Sequence, residues 1–519
     1  MSAARSLAPA RPRSTRPGLA RTRDVSPRSA ATTTAYNPAA RGPPIATPRH
    51  IRAAACLAVV LAPTTAAAHD PAPARPRYST VVVSSRTPRT ASQRVVGAAE
   101  ISTSPRRRSA DDLLRLIPGV YVSQHGSEGK GQQIFLRGFD AAHGTDVEAR
   151  VAGVPINELS NVHGQGYIDL NFVIPEVVRR ISASKGPFLL DQGNFANAGT
   201  VRFELGVDRE TRGNRVSYEF GSTIRHRGVF VYAPRHLPKE TFFAAEAMHD
   251  RGFGVAREAQ RASLIGQIRL HSSPALGSFD LFGVAYAARF GAPGALRQDD
   301  VAAGRVPFYG AYVDDGRGRS ARAIVGLHHQ LEVGRGHLDQ RVYGQLRDFG
   351  IVEDFTGYLL DPARGDRRLQ EHRFASAGYQ LEVRRPLGDR DRWTLIAGGA
   401  WQGDRIAQHD ARVDAEHLEY KQNWSLAVDQ HQAHARAGLR WRPIERLSID
   451  AGARVDLFAY HVRDRLAQDH AGRKTTAIPS PRLTAVLQVA RDVSLFAAYG
   501  RGLRAPEARS ILEPATPPA

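Results

Sequence analysis

Leu136-Arg137-Gly138-Phe139-Asp140 is the centre of residues 78–205, the part of the chain that decides its fold. Short segments lie on both sides of this pentapeptide in a defined order. They are Ser79–Ser85, Ser109–Leu114, Ile117–Val120, Val151–Asn157, Ile174–Val178, Ser184–Pro187 and Asn197–Phe203. No single segment is specific, but together and in this order they form a strong sequence signal.

Local patterns within this block predict a small α/β domain. Ser109 and Asp112 have the spacing of a capping box, so we expect a helix over Ser109–Leu116 that stops at Pro118-Gly119. Pro175 opens a second predicted helix, because proline suits the first helical position. Short apolar runs predict strands at Val120–Val122, Gln133–Arg137 and Glu148–Val151.

The order and spacing of these segments resembles the plug domain of TonB-dependent outer-membrane receptors. The resemblance implies a plug core motif at Leu136, Arg137, Gly138 and Phe139. It also implies a TonB-box-like segment at Thr80, Val81, Val82, Val83 and Ser84. An extended segment with free backbone edges can add as a strand to a partner sheet, here that of the TonB energy-coupling protein. The alternative for residues 79–85 is the first strand of a globular domain. Arg137 is expected to form salt bridges that seat the plug against the surrounding wall.

From Asn214 onward the apolar residues alternate with a period of two, which predicts β-strands. In the stretch Leu447–Tyr460, small and apolar residues occupy one face, while the other face includes Asp450, Arg454 and Asp456. The pattern recurs at Leu338–Arg347, Ala433–Trp441 and Leu483–Tyr499. Two packed sheets rarely bury so many charges. A lipid-facing outside and a wet or plugged inside therefore predict an antiparallel transmembrane β-barrel.

Aromatic residues and connection lengths support this interpretation. Short turns at Glu445-Arg446 and Ala490–Asp492 contrast with long polar connections at Gly291–Ser320 and Ile351–Arg368, as in outer-membrane barrels. Aromatic residues near the strand ends suit interface girdles, although core packing is the alternative for each tryptophan. They are Trp393, Trp401, Trp441, Phe458 and Tyr499.

The number of strands differs from that of a complete plugged barrel. Alternation and turn signals indicate about thirteen strands between Asn214 and Arg501, whereas barrels that hold a plug need roughly 22. Residues 513–519 are proline-rich and lack the terminal aromatic residue of such barrels. We therefore expect a barrel truncated at its C-terminal end, as in a fragment, a frameshifted gene or a sequence error.

The N-terminal residues precede the expected mature protein. Residues 1–48 predict a disordered extension. A basic Arg49–Arg52, an apolar Ala53–Ala62 and the small residues Ala66-Ala67-Ala68 predict a secretory signal peptide at 49–68. Its distance from Met1 favours a later translation start, and a low-complexity arm is the alternative. Cys56 is the chain's one cysteine and lies in this leader, so no disulfide is expected.

The complete predicted organisation has six parts. It consists of a disordered extension (1–48), a signal peptide (49–68), a linker with the TonB-box-like segment (69–90), a plug domain (91–207), a partial transmembrane β-barrel (213–509) and an unstructured tail (510–519).

The charge of the chain is unevenly distributed. The 519 residues carry a formal net charge of +20, of which residues 1–68 supply +9 from ten arginines against Asp24. Nearly half of the excess therefore lies outside the expected mature protein. This location, with no helix-turn-helix or zinc-finger pattern, argues against a nucleic-acid partner. No apolar window after the leader is long enough for a transmembrane helix.

Three histidines of the block, His125, His143 and His163, are the candidate ligand-facing residues. Imidazoles and neighbouring carboxylates could meet a metal-bearing ligand at the outward face of the plug, although solvated loop histidines are the commoner alternative. We predict no resident metal and no cofactor. The stretch Gly126–Gly131 lacks the Gly-Lys-Ser/Thr sequence of a phosphate loop and is expected to be a mobile apex loop. The absence of a nucleophile elbow argues against an enzyme.

The resemblance implies a monomeric receptor in the outer membrane of a Gram-negative bacterium, in contact with outer-membrane lipid. It would import a small-molecule ligand such as a siderophore, haem, cobalamin, another metal complex or an oligosaccharide. The ligand would bind the plug apex and outer loops, and TonB would pull on Thr80–Ser84 to open the plug. One alternative is a non-functional remnant or fragment of such a receptor, which the missing strands favour. A passive porin or a barrel enzyme is disfavoured by the plug block.

Overall fold

The computed structural model describes residues 90, 92–104, 109–124, 126–388, 392–467 and 470–512. The predicted N-terminal extension, signal peptide, TonB-box-like segment and His125 lie outside these residues. Within them, no helix is both long and apolar enough to cross a membrane. We refer to residues 92–205 as the plug and to residues 213–500 as the barrel sheet.

The plug contains two small sheets joined by short helices. Its strands are β1 (Gln93–Gly97), β2 (Val120–Ser123), β3 (Gln133–Leu136), β4 (Phe139–Asp140), β5 (Val147–Val151), β6 (Val154–Pro155), β7 (Val178–Lys185) and β8 (Gly199–Leu205). Helix α1 (Ala98–Thr103) and 3-10 helices at Ala110–Leu116 and Pro175–Val177 complete it. The larger sheet has the order β1-β7-β8-β5-β6, in which only β5 and β8 are parallel, and β2-β3-β4 form the smaller sheet.

The helix predicted at Ser109–Leu116 is present as a 3-10 helix, Ala110–Leu116. Ser109 occupies the N-cap position, but its side chain makes no hydrogen bond to the helix backbone. Its hydroxyl instead donates to Asp111 Oδ2 at 3.1 Å. The capping-box prediction was therefore wrong, because a buried carboxylate competes for the serine hydroxyl.

The second predicted helix is only one turn long. It spans Pro175–Val177, and β7 follows directly. Proline does lie at the start of the turn, as expected. The β-branched residues Val177, Val178 and Ile181 then favour extended backbone over a longer helix.

Asp111 is an ionisable group in the plug core, where its side chain is almost fully buried beside Leu113 and Leu114. Burial raises the pKa of this carboxyl from 3.8 to about 7, and the negative charge of Asp169 adds to the effect. The folded plug thus holds a proton that the unfolded chain releases. The stabilisation that this proton gives to the folded plug is fully present below pH 3.8, the pKa of the carboxyl in the unfolded chain. It is lost as the pH rises through about 7.

We expect Asp111→Asn to remove this pH dependence and to stabilise the plug above pH 7 by on the order of 2–4 kcal/mol. The measurement is amide hydrogen exchange of Ala110–Leu116 in the full chain, corrected for intrinsic rates, on both sides of pH 7. Asp492→Asn, at an exposed turn of the barrel sheet, is the control, and the exchange of Ala110–Leu116 in this variant should depend on pH as in the parent protein. If the exchange protection of Ala110–Leu116 in Asp111→Asn still depends on pH as in the parent protein, another group causes that dependence.

The barrel sheet has thirteen strands, each antiparallel to its neighbours in sequence. They are β9 (Gly213–Gly221), β10 (Arg225–Ala233), β11 (Phe242–Asp250), β12 (Ala259–Ser273), β13 (Gly277–Gly291), β14 (Arg317–Val333), β15 (Gly336–Asp354), β16 (Arg367–Leu387), β17 (Trp393–Val413), β18 (Glu419–Ile444), β19 (Leu447–Asp464), β20 (Ala471–Ala490) and β21 (Val493–Gly500). The number agrees with the expected count. β9 and β21 are the two edges, and they do not pair with each other in the described part of the chain.

Three further short helices lie in connections outside the plug and between or after the strands of the barrel sheet. Helix α2 (Gln298–Ala302) belongs to the connection between β13 and β14. A 3-10 helix at Arg209–Thr211 links the plug to the barrel sheet, and another at Arg509–Ile511 follows β21.

The barrel sheet is apolar on its exposed face and polar on its buried face. On β19, Val455 and Leu457 are 48% and 43% exposed, whereas the alternate residues Arg454 and Asp456 are 5% and 3% exposed. This inverts the pattern of a water-soluble protein. It is the arrangement of a transmembrane strand that faces lipid on one side and a filled interior on the other.

The connections differ in length at the two ends of the strands. Two-residue turns join β14 to β15, β18 to β19, and β20 to β21. At the opposite end, residues 292–316 and 355–366 form long connections, each shorter than predicted because the flanking strands extend further. The predicted alternation of short turns with long loops is therefore present.

The plug lies against the polar face of the barrel sheet. One apolar cluster contains Val151 and Phe203 of the plug together with Val229, Phe282 and Tyr343 of the sheet. Polar groups add to this interface, since Gln345 Nε2 donates to the carbonyl of Pro155 at 3.1 Å. Plug and sheet therefore share one core.

Candidate functional site

A cluster of rings lies where the plug meets the ends of β15 and β16 next to the long connections. His143 and His163 of the plug lie with their ring centroids 4.9 Å apart, and Tyr167 lies 5.4 and 5.9 Å from them. Phe349 of β15 and Phe355, the first residue of the connection that follows β15, lie 6.1 and 5.8 Å from His163. We call these five residues the apex cluster. Two histidines far apart in the loops of the plug are thus brought together.

Hydrogen bonds orient both imidazoles of the apex cluster. His143 Nδ1 lies 2.9 Å from the carbonyl oxygen of Gly131, and His163 Nδ1 lies 2.8 Å from Gln370 Oε1. Because both oxygens are acceptors, each ring donates from Nδ1 and, when neutral, carries its lone pair on Nε2. An unprotonated imidazole nitrogen is a hydrogen-bond acceptor and a common metal ligand. No group of three or more metal-ligating side chains occurs among the described residues.

Tyr167 is the buried floor of the apex cluster. Its hydroxyl accepts a hydrogen bond from the backbone N–H of Gly131 at 2.6 Å, and its ring is fully buried against Phe349. Burial raises the pKa of the phenol well above its usual value, and Asp169 adds to that shift. The phenol therefore stays protonated and holds the segment before β3 in place.

Removing that hydroxyl should loosen the apex of the plug. We expect Tyr167→Phe to leave the Gly131 amide buried without its acceptor, at a cost of about 1–3 kcal/mol. Exchange protection of the Gly131 amide in the full chain measures this cost. Tyr121→Phe, at an exposed position, is the control. Equal protection of Gly131 in both variants would contradict the assigned role.

Below the apex cluster, two plug carboxylates are neutralised by two arginines of the barrel sheet. Glu158 Oε1 accepts from Arg322 Nη2 at 2.6 Å and from Arg347 Nε at 2.9 Å. Asp169 Oδ2 accepts from Arg347 Nη2 at 3.1 Å and from the hydroxyl of Ser320 at 2.9 Å. The side chains of the four charged residues are at most 1% exposed. We call Glu158, Asp169, Arg322 and Arg347 the central ion cluster.

A second group of buried charges docks the plug against β10–β12. Arg227 of β10 binds Glu176 of the plug through two N–H···O contacts of 2.8 Å, and its Nε donates to Glu246 at 2.7 Å. Arg261 joins Glu246, at 2.5 Å, to Glu128 of the plug, at 3.1 Å. We call these five residues the lateral ion cluster. Each cluster places plug carboxylates on sheet arginines, so charge fixes the register of the plug inside the sheet.

An apolar contact fixes the last plug loop before β8. Gly438 and Gly452 form a cross-strand pair on β18 and β19. Cβ atoms placed on them would lie 2.7 and 2.9 Å from the methyl carbons of Leu190. Only glycine leaves room there for the leucine side chain. Nearby, Arg454 Nη1 donates to the carbonyl of Asp191 at 3.1 Å, which holds the same loop.

Comparison with known proteins decides the family. The TonB-dependent receptor plug domain matches residues 86–200, and the TonB-dependent receptor-like β-barrel matches residues 270–516. The chain belongs to the TonB-dependent receptor family. Its place is accordingly the outer membrane of a Gram-negative bacterium, as the exposed apolar face of the barrel sheet requires.

Relatives within the TonB-dependent receptor family share the fold at low sequence identity. The vitamin B12 transporter BtuB of Vibrio vulnificus (strain CMCP6) is 30% identical over 140 residues, which are 27% of this chain and 22% of that protein. The ferric citrate transporter FecA matches with a TM-score of 0.66 at 12% identity, over 81% of this chain and 64% of that one. The ferric yersiniabactin receptor FyuA of Yersinia pestis (TM-score 0.60, 15% identity) and the copper transporter OprC (0.59, 17%) cover 78% and 81% of this chain.

The chain spans less than two thirds of these relatives. It covers 22% of BtuB, 64% of FecA, 63% of FyuA and 64% of OprC. The match to the solved receptors therefore establishes the plug and the antiparallel barrel sheet as the shared fold.

The receptor's predicted site residues fall in different places. Leu136 is buried in the plug core, whereas Arg137, in the turn between β3 and β4, and Phe139, the first residue of β4, are exposed. Among the described residues, no carboxylate lies within ion-pair distance of Arg137, so its expected seating role is not observed. Arg137 has a φ of +49° in that turn, and its side chain lies against Gly119, where a Cβ would be 3.3 Å from Arg137 Cγ. The seating salt bridges come instead from the two ion clusters.

The glycine-rich stretch expected to be a mobile apex loop is instead anchored. Lys130 is 4% exposed, and its Nζ lies 2.7 Å from Glu353 Oε2 of β15. Glu128 Oε1 also pairs with Arg225 of β10 at 2.8 Å. Glycine is needed at position 129 because its φ is +125° and a Cβ there would collide with Phe290. These contacts tie the stretch to two separate parts of the barrel sheet.

Sequence patterns did not single out Glu158 and Asp169 as partners of particular arginines. The polar face predicted on β15 did include Arg347. Its carboxylate partners are 189 and 178 residues away in the sequence. Alternation shows which side chains face inward, but it cannot show which plug residue each one meets.

Proposed function

We propose that this protein is a TonB-dependent importer that takes up a scarce nutrient in the form of a metal complex. The observation that carries the proposal is the apex cluster, in which two imidazoles meet on a plug that is docked inside a lipid-facing barrel sheet. The cargoes of similar receptors, ferric citrate, ferric yersiniabactin, copper and vitamin B12, agree with such a ligand. The protein is a carrier and not a catalyst in this proposal.

Ligand recognition is assigned to the plug apex and the long connections. His143 and His163 are assigned to the ligand, because imidazole suits a borderline metal or a hydrogen-bond donor on its chelator. Phe355, the one phenylalanine of the apex cluster that is only half-buried, supplies apolar contact to the organic part of the ligand. His125 completes the proposed ligand-facing set.

Energy coupling is assigned to Thr80, Val81, Val82, Val83 and Ser84. In the proposal, ligand binding at the apex exposes this segment to the periplasm, and TonB pairs with it edge to edge. Pulling on the segment then draws the plug away from the barrel sheet. The two ion clusters set the resistance that this pulling must overcome, because they join the plug to the wall by buried charges.

The test uses a Gram-negative host that lacks its own receptors for the probes. Cells that produce the full chain are given labelled ferric citrate, ferric yersiniabactin, cyanocobalamin or Cu²⁺. We expect accumulation of one probe, and its loss in a host without TonB. Val82→Pro should abolish uptake, because proline removes a backbone donor from the pairing strand. Pro73→Ala in the linker is the control and should leave uptake intact.

A separate arm measures ligand binding without transport. His143→Ala combined with His163→Ala should weaken binding of the accumulated probe to cells by about tenfold or more, a loss of at least one good contact. Accumulation that persists without TonB would identify a passive pore and refute the importer. Accumulation of none of the probes, with the protein present in the outer membrane, would refute the metal-complex substrate class.

A further inference from the structure

The outward face of the barrel sheet carries charged residues in the strand halves next to the long connections. They lie on the same side as the exposed apolar residues, as the two-residue period from Arg319 to Val325 on β14 shows. The set consists of Arg319 on β14, Asp348 on β15, Glu371 and Arg373 on β16, Arg405 on β17, Asp429 on β18 and Arg463 on β19. We call these seven residues the arginine belt. Charged side chains on a lipid-facing surface are costly except at the headgroup level.

Ion pairs give the arginine belt a defined geometry. Asp348 accepts from Arg319 Nε at 2.9 Å and from Arg373 Nε at 2.7 Å, and Arg319 Nη2 also reaches Glu371 at 2.7 Å. These four residues form one half of the belt. The carboxylates lie between the guanidiniums and hold them at fixed positions.

The other half of the belt is built in the same way. Asp429 accepts from Arg405 Nε and from Arg463 Nη2, both at 3.2 Å. The halves meet at β16 and β17, where Arg373 is paired with Ala407 and Arg405 with Ala375. Arg373 and Arg405 are therefore diagonal neighbours, a spacing of about 7–8 Å that long side chains bridge.

The terminal nitrogens of the two central arginines point to an external ligand. Arg373 and Arg405 each contact a carboxylate through Nε, and in the described part of the chain their Nη atoms have no acceptor. Their side chains are 54% and 87% exposed. Four arginines against three carboxylates leave a net positive charge. Two adjacent guanidinium forks with unused donors match the oxygens of a phosphate group.

An apolar surface continues directly from the arginine belt toward the other end of the strands. Val325, Leu346, Val455 and Leu457 lie there on the same outward face and are 57%, 59%, 48% and 43% exposed. A ligand with a phosphate group and acyl chains would satisfy both parts of this surface at once. A small soluble anion would use only the belt.

We propose that the arginine belt binds the phosphate headgroup of an outer-membrane lipid, whose acyl chains lie along the apolar surface beside it. Arg373 and Arg405 contact the phosphate, while Asp348 and Asp429 position them. The proposal rests on the insertion of the sheet in the membrane and not on transport. A bound lipid at this height would set the depth of the barrel sheet in the bilayer.

The test measures lipid retained by the full chain. The protein is reconstituted in phosphatidylcholine vesicles that contain a minor fraction of phosphatidic acid, extracted in mild detergent and analysed for bound lipid. We expect selective retention of phosphatidic acid, and a loss of about tenfold or more in the double variant Arg373→Gln/Arg405→Gln. Arg373→Lys/Arg405→Lys should retain an intermediate amount, because lysine keeps the charge but loses the fork.

Arg385→Gln is the matched control. It changes an exposed arginine on the outward face of the same strand, about 40 Å from Arg373 at 3.3 Å per residue. It should leave retention unchanged, and the β-sheet circular dichroism of every variant should match that of the parent protein. Asp348 and Asp429 keep a partner arginine in the double variant, so the fold does not depend on the substituted side chains.

Three results would overturn the proposal. The first is equal retention of phosphatidic acid by the parent protein and the double glutamine variant. The second is a loss in Arg385→Gln as large as in the double variant, which would indicate a general effect of charge. The third is complete displacement of the lipid by an equal concentration of inorganic phosphate, which would make the belt a site for a free anion.

Discussion

Glu158→Gln should loosen the plug from the barrel sheet by about 3–5 kcal/mol, because it leaves two buried guanidiniums with too little negative charge. Glu158 accepts from Arg322 and Arg347 at 2.6 and 2.9 Å, and none of the three side chains is more than 1% exposed. Only Asp169 would remain in the central ion cluster to balance both arginines. The substitution keeps the size of the side chain, so the loss reports charge and not a cavity.

The measurement is the free energy of opening of plug strands β5 and β8, obtained from amide hydrogen exchange in the full chain. Glu210→Gln is the control, since Glu210 is exposed in the link between plug and sheet. A second variant, Glu158→Gln with Arg322→Gln, restores the charge balance and should recover part of the loss. If the double variant opens as easily as the single one, unbalanced charge is not the cause.

Arg227→Met should release the opposite side of the plug, also by about 3–5 kcal/mol. Arg227 is 1% exposed and connects Glu176 of the plug to Glu246 of β11. Methionine fills much of the same space but supplies no donor, so the bidentate contact to Glu176 is lost. Arg261 still pairs with Glu246 at 2.5 Å, so the damage should centre on Glu176 and the start of β7.

Local hydrogen exchange distinguishes the two predictions. Arg227→Met should increase exchange at Val178–Lys185 more than at Gly199–Leu205, because β7 follows Glu176 directly. Arg227→Lys keeps the charge but not the fork and should have an intermediate effect. Arg235→Met, at an exposed position, is the control. Uniform exchange across the plug in Arg227→Met would show that the lateral ion cluster does not act locally.

These predictions bear on the proposed transport. A plug held by two buried ion clusters resists being pulled from the sheet until one cluster opens. Variants that weaken only one cluster should therefore lower the force needed for opening without changing ligand binding at the apex cluster. The ion clusters and the apex histidines belong to different steps, and their variants separate those steps.

Much of the plug was predictable from local sequence, and the exceptions have identifiable causes. Strands β2, β3 and β5 lie at the predicted apolar runs, because short β-branched and apolar runs need little information beyond their neighbours. Both predicted helices begin where expected, but each is a 3-10 helix. The predicted capping box is absent because a buried Asp111 accepts from the Ser109 hydroxyl, and the second helix is short because Val177 and Val178 favour β7.

The candidate site could be predicted only in part from the sequence. His143 and His163 were named as candidates for a shared surface, and the fold brings their rings to 4.9 Å. Their contact partners Phe349 and Gln370 come from strands more than 180 residues away. Tyr167 was not singled out, because a tyrosine in a loop carries no signal for full burial beneath two histidines.

The sequence by itself determined the family, the thirteen alternating strands and the face of each strand that meets lipid. These features are local or periodic, since a side chain's face depends only on whether its position is odd or even along a strand. Only the tertiary structure decided which plug carboxylate meets which arginine, how the arginine belt assembles across six strands, and which glycines admit Leu190. Such contacts depend on strand register and on the placement of the plug. A pattern within one segment of the chain does not give the distance between two other segments.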